Sequence, residues 1–242
     1  MRLLVVVLVL AAAGCAPSGG TPDPLTVFAA SSLTETFTEL GKGYQRRHGV
    51  TVRFSFGSSA TLARQIAQGA PAQVFAAANP DTMRTVTGAG LAADDPVVFA
   101  RNRLELAVPA GNPGGVRTLA DLADPALRVA LCARQVPCGA AAATVLAAAG
   151  VKVEPDTYAK DVKAALTQVR LGEVDAALVY HTDVIAAGDA VTGIAVPEAA
   201  KAVNDYPVAV LDGAPDSARD FVAYVRSGAG RTVLAGAGFE LP

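Results

Sequence analysis

The chain has 242 residues, 52% of them hydrophobic and 17% charged, with 20 Lys and Arg against 22 Asp and Glu. A formal charge of -2 with no basic stripe excludes a nucleic-acid binder, and high apolar with low charged content excludes a disordered chain. The absence of Trp and an aromatic content of 5% argue against an aromatic-lined sugar or nucleobase site.

Met1-Arg2 precedes an apolar run from Leu3 to Ala13, followed by Gly14 and Cys15. At about 1.5 Å per residue that run reaches only about half of a bilayer's hydrocarbon core. A charged start, a short apolar run and small residues before a break describe a secretion signal, residues 1–14. Residues 15–24, rich in Pro, Gly and Ser, read as a flexible tether. Ala12-Ala13-Gly14-Cys15 resembles the lipobox of bacterial lipoproteins, with Ala12 where that pattern usually has Leu. The resemblance implies cleavage before Cys15 and a lipid on its sulfur, anchoring the protein outside the cytoplasmic membrane without spanning it.

From Leu25 onward strand-like and helix-like runs alternate. Leu25–Ala29 reads as a strand, about 33–48 as a helix, and 50–56, with period-two alternation, as a half-buried strand. A helix over 61–68, a short strand over 73–77 and a helix over 80–88 with Pro in its first turn follow. The pattern continues with a strand over 104–108, a strand over 128–132, helices over 139–149 and 161–171, and a strand over 176–180. A strand over 207–211 and two helices close the chain. Strands separated by helices predict an α/β protein. Two lobes fit better than one sheet: 25–105 plus 206–242, and 106–205 between them, each a mostly parallel sheet flanked by helices.

In such sheets ligands sit beyond the carboxyl ends of the strands. The first strand ends in Ala30-Ser31-Ser32-Leu33-Thr34-Glu35, where Ser32 and Glu35 have the spacing of a capping box. The strand ending at Phe56 leads into Gly57-Ser58-Ser59-Ala60-Thr61-Leu62, again serines before a helix. A single serine there is usually just a cap. Two such starts after neighbouring strands bring hydroxyls and unpaired N–H groups to one rim, which suits an anion without any lysine.

Several segments, in order along the chain, resemble the molybdate-binding proteins of bacterial ABC importers. They are Thr26-Val-Phe-Ala-Ala-Ser-Ser-Leu-Thr34, Gly57-Ser-Ser-Ala-Thr-Leu-Ala-Arg-Gln-Ile66, Gly69-Ala-Pro-Ala72, Val136-Pro-Cys-Gly139, Asp161-Val162, Leu178-Val-Tyr180 and Tyr206-Pro-Val-Ala-Val210. The resemblance implies a two-lobed, type II periplasmic-binding fold closing on a tetrahedral oxyanion, molybdate and also tungstate. Ser32 and Ser59 would donate from one lobe, and the backbone N–H groups of Cys138 and Val162 with the Tyr180 hydroxyl from the other. The family usually has Ala where this chain has Cys138. The implied protein is a monomeric carrier, not an enzyme. It uses no cofactor and no metal bound directly by side chains, touches the membrane only through its N-terminal lipid, and delivers its anion to an ABC permease.

Cys132 and Cys138 are too few for a zinc site, with only His48 and His181 in the whole chain. In an exported protein they are expected to form a disulfide, holding the loop that carries the Cys138 N–H. His181 is expected at a helix start near the cleft, Asp161 at a helix N-terminus, Arg64 on the surface or paired across the lobe. Arg46, Arg47, Arg101 and Arg103 read as solvated charges. Two alternatives stay open. One is the same fold tuned to sulfate, phosphate or a small organic acid. The other is an exported hydrolase using Ser32 or Ser59 with His181, although the chain has no Gly-x-Ser-x-Gly elbow.

Overall fold

The computed structural model describes residues 23–242; the expected signal segment, Cys15 and most of the tether lie outside the described residues. Strand β1 (Leu25–Ala30) pairs in parallel with β2 (Val52–Gly57) on one side and β3 (Val74–Ala76) on the other. Helices α1 (Thr34–His48), α2 (Ser59–Ala67) and α3 (Pro80–Thr87) follow these strands in turn. Strand β4 (Val97–Asn102) runs to the far edge of this sheet. After Arg103, strand β5 (Leu104–Pro109) already belongs to a second sheet.

The second sheet continues with β6 (Val129–Cys132), α4 (Pro137–Ala149), β7 (Thr157–Ala159), α5 (Val162–Arg170), β8 (Ala176–Tyr180), α6 (His181–Ala187) and β9 (Val191–Ile194). The chain then returns through β10 (Asn204–Val210) to the first sheet and ends in α7 (Asp216–Arg226) and α8 (Gly228–Gly236). The strand orders are β2-β1-β3-β10-β4 and β7-β6-β8-β5-β9. In each sheet two pairings are parallel and two antiparallel. The antiparallel share exceeds what helix–strand alternation implies, because β5 and β10, the strands next to the crossings, both run against their neighbours. The two crossings lie side by side, since Asn102 and Asn204 are register partners. Leu104 and Glu105 sit in the second sheet, Asn204 and Asp205 in the first, so the sheets change over two residues before each boundary read from the sequence.

The near-continuous apolar composition of β1 follows from helices on both faces. Alternate side chains split between them. Val27 and Ala29, with Val208 and Val210, pack under α1, α7 and α8, whereas Phe28, Phe75 and Ala209 pack under α2 and α3. Helix α1 supplies Phe37, Leu40, Gly41 and Tyr44 at the spacing of a helical stripe. It stops at Gly49, whose φ of 72° is the left-handed end that glycine permits. The second core joins β5, β6 and β8 to α4 and α5, and it includes Ala60 from α2. The halves therefore share apolar contact.

The strands β4, β7 and β9 are additions to the sequence reading. Strands β7 and β9 have only 3 and 4 residues, too short for a period to show.

Phe37 is fully buried, with its ring 5.6 Å from Phe99 and 6.2 Å from both Phe54 and Phe221. Phe37→Ala is expected to destabilise the protein by about 4 kcal/mol, read as a lowered urea midpoint at unchanged slope.

Candidate functional site

The carboxyl ends of strands from both sheets converge on one cavity. The first half contributes Ser32, Ser58, Ser59 and Ala78, the second Cys138, Asp161, Val162 and Tyr180. Its volume, including the part open to solvent, is about 210 Å³, below the several hundred Å³ of pockets that take drug-sized ligands. That suits a small ion better than a peptide.

Local sequence determines which groups are free at its wall. In α4, Pro137 has no N–H and Gly139 is the first residue to bond back, to the Val136 carbonyl at 3.0 Å. The Cys138 N–H is left at the helix mouth, and no side chain caps this end. Gly139 is required there, because a Cβ would collide with the Ala133 carbonyl. The disulfide Cys132–Cys138 forms, with Cα atoms 5.8 Å apart, and ties the same turn to the end of β6. In α5, Asp161 accepts the Ala164 N–H at 2.9 Å and its carbonyl takes the Ala165 N–H, leaving the Val162 N–H free. The helix-start role expected for Asp161 is present, and among the described residues it is the only charged one lining the cavity.

The serines behave differently from the capping reading. The chain leaves β1 through a 3-10 turn, Ser31–Leu33, so α1 starts at Thr34 with no side-chain cap. The Ser32–Glu35 capping box is absent. Ser32 Oγ instead lies 2.9 Å from the Tyr206 hydroxyl, and Glu35 turns to Lys163. Ser58, not Ser59, occupies the N-cap position of α2, again without a side-chain bond. Ser59 Oγ accepts the Ala78 N–H at 3.0 Å, which directs its own hydrogen elsewhere. Ala78 is held in turn by Asn204, whose Nδ2 donates to its carbonyl at 2.7 Å, so the return crossing braces the serine.

Tyr180 and Tyr206 are both fully buried, their rings packed edge to face at 5.9 Å. Burial pushes both phenols above their ordinary range, with mutual proximity adding to it for Tyr180, so both remain neutral donors. The hydroxyls of Ser58 and Tyr180 are buried without a hydrogen-bond partner among the described residues.

Behind this wall Lys163 bridges the halves. Its Nζ lies 2.8 and 2.9 Å from the two carboxylate oxygens of Glu35 on α1, and 3.0 Å from Asp183 Oδ1 on α6. Burial lowers the Lys163 ammonium, but Asp183 and Glu35 outweigh that and it ends above its usual value. Asp183 is fully buried; burial raises its carboxyl above the usual range while Lys163 pulls it back. Asn102 Nδ2, at the first crossing, donates to Thr182 Oγ1 at 2.8 Å. Lys163, Asp183, Asn102 and Ser58 were missed in the sequence because no local motif links them; the Ser-Ser doublets were the one visible hint for Ser58.

His181 starts α6 as expected, but its Nδ1 lies 2.6 Å from Glu105 Oε2. It lines a separate groove with Arg103 and Pro197, not the cavity of Ser32 and Ser59. The serine–histidine arrangement of a hydrolase is therefore not assembled. Arg64 is exposed beside Thr61. Arg101 and Arg103 are not simply solvated: Arg101 pairs with Asp205 on the return crossing and Arg103 with Glu240 of the C-terminal segment. Among the described residues no cluster of three or more His, Cys, Asp or Glu could hold a metal, and no helix is long and apolar enough to cross a membrane.

Two α/β halves joined by paired crossings, with a small donor-lined cavity between them, define a two-lobed binding protein. Residues 25–240 match the family of bacterial extracellular solute-binding proteins, and the chain belongs to it. It is 41% identical over 231 residues to the molybdate-binding protein ModA of Mycobacterium tuberculosis, covering 93% of this chain and 88% of that one. It is 30% identical to a putative ABC transporter substrate-binding lipoprotein, YvgL, of Bacillus subtilis, covering 95% and 93%. The periplasmic molybdate-binding protein of Azotobacter vinelandii has the same fold, with a TM-score of 0.79 at 23% identity, covering 90% of this chain and 99% of that one. The protein is thus an extracytoplasmic solute binder, not an enzyme.

Lys163→Met removes the cation that offsets Asp183. The folded state then keeps a proton on Asp183 that the unfolded chain releases near pH 4, so stability falls as pH rises above that value. The variant is expected to lose about 3 kcal/mol at pH 8 and clearly less at pH 5, measured as melting temperatures of both proteins at the two pH values.

Proposed function

We propose that this protein captures molybdate, and tungstate equally, in the cavity between its halves and delivers it to an ABC permease. The observation that carries the reading is a small cavity lined by N–H and O–H donors from both halves, with no lysine or arginine among the described residues of its wall. The molybdate-binding relative at 41% identity supports it.

In this reading Ser32 and Ser59 donate hydroxyl and backbone hydrogen bonds from the lobe of residues 25–105 and 206–242. The N–H groups of Cys138 and Val162 and the Tyr180 hydroxyl complete the shell from the lobe of residues 106–205. The anion bridges both lobes and favours the closed arrangement, the lobes swinging about the two crossings.

Neutral donors suit the task. A guanidinium or ammonium attracts any anion, whereas fixed donors discriminate by size and by protonation. A protonated oxygen of hydrogenphosphate facing an N–H group would leave both hydrogens unmatched, a costly arrangement. The smaller sulfate would leave the donors on one wall too far away. Molybdate and tungstate are fully deprotonated and nearly equal in size, so the cage treats them alike.

The N-terminal segment completes the proposal. Cys15 carries the lipid and holds a monomeric carrier near its permease, in keeping with the relative described as a lipoprotein.

Calorimetry is expected to show one-to-one molybdate binding with little heat from sulfate or phosphate; equal affinity for sulfate would remove the size argument. Ser59→Ala, which deletes a donor and the partner of the Ala78 N–H, is expected to weaken molybdate binding by ~1–3 kcal/mol. Unchanged affinity in that variant would remove Ser59 from the shell.

A further inference from the structure

We infer that Ser58 touches the bound oxyanion, supplying a hydroxyl donor in addition to the shell named above; the inference rests on the oxyanion reading of the cavity. Ser58 lines the cavity and is only 7% exposed, with a buried Oγ that has no partner among the described residues. Its position makes this unusual. Ser58 precedes α2 as the N-cap residue, where a serine side chain normally accepts an N–H of the first turn.

Here the side chain makes no cap, and the Thr61 N–H, one of the groups it would ordinarily accept, goes to the Ser58 carbonyl at 2.9 Å instead. Elsewhere in the chain Asn79, Asp161 and Ser227 hold N-cap positions and do accept first-turn N–H groups. A hydroxyl kept out of water and out of the cap is costly, and in native proteins such a group calls for an explanation. A small anion in the cavity provides one, because its oxygens accept and the hydroxyl can donate.

The second unpartnered hydroxyl of the cavity belongs to Tyr180, in the opposite sheet. An anion between them satisfies one orphan donor from each half at once. Ser58 differs from Ser59 in a way that can be measured. Ser59 Oγ also holds the Ala78 N–H, so its loss disturbs the fold of the empty protein. Ser58 Oγ holds nothing, so its loss is felt only with the anion present.

The test compares the wild type with Ser58→Ala by calorimetry with sodium molybdate and by thermal melting with and without it. The variant is expected to bind about ten-fold more weakly, its empty form melting at or above the wild-type temperature and its molybdate-induced rise in melting temperature reduced. Wild-type affinity in the variant would overturn the inference, leaving the oxyanion reading intact. A lowered melting temperature of the empty variant would also overturn it, since the hydroxyl would then support the fold. A wild type that takes up no molybdate would instead overturn the oxyanion reading and this inference with it.

Discussion

Unpaired hydrogen-bond donors facing one another across a cavity are the constraint on which the rest of the structure depends. The Cys138 and Val162 N–H groups lie in the first turns of their helices, which have no carbonyl behind them to accept, and the Tyr180 hydroxyl is buried at the end of β8 beside Tyr206. Buried donors without acceptors are unfavourable, and a fold tolerates several of them together only if an acceptor arrives. The elements around the cavity fix these groups so that the arriving acceptor need not organise them. Asn204 holds Ala78, Ala78 holds Ser59, and Tyr206 orients Ser32. The disulfide fixes the turn that presents the Cys138 N–H.

The same network couples the cavity to the crossings. Asn204 lies at one of them and braces the serine wall, while Asn102 at the other reaches Thr182, two residues beyond Tyr180. Rotation of one half against the other would therefore move the two donor sets as rigid groups. Lys163 adds a contact of a different kind, directly between α1 and α5 next to the cavity rim. Its neighbour Val162 supplies a donor to the wall, so the ion pair and the wall share one helix end. An arrangement that seats Lys163 against Glu35 also brings the Val162 N–H to face the serines.

Much of this was legible in the sequence, for identifiable reasons. The long elements carried clear periods, as in the Phe37, Leu40, Gly41 and Tyr44 stripe, and β8 spans the residues expected of it. The five expected site residues, Ser32, Ser59, Cys138, Val162 and Tyr180, line one cavity. What failed were inferences from local spacing. Ser32 and Glu35 are three apart, as a capping box requires, but the 3-10 turn shifts the helix start and both side chains find partners far away in sequence. The buried polar set of Lys163, Asp183 and Asn102 was invisible for the same reason: its members meet only through the tertiary fold, and a lysine in an amphipathic helix looks like any solvated charge.

The charge of the chain takes on its meaning at this point. The net charge is -2, and Lys163, next to the lining residue Val162, is already engaged by two carboxylates. Asp161 even places a negative charge in the wall, though its Oδ1 accepts the Ala164 N–H. Among the described residues, none with a positive charge lines the cavity an anion would enter. The anion's attraction then comes from aligned backbone dipoles at the first turns of α2, α4 and α5 and from neutral hydroxyls. Such short-range donors act only on an ion whose oxygens reach them all. A free lysine would widen the range of anions accepted, because charge attraction does not depend on fit. If the cavity takes an anion as proposed, engaging Lys163 with Glu35 and Asp183 serves selectivity: it keeps the cation where it joins the halves and out of the cavity wall, where it would admit the wrong ion.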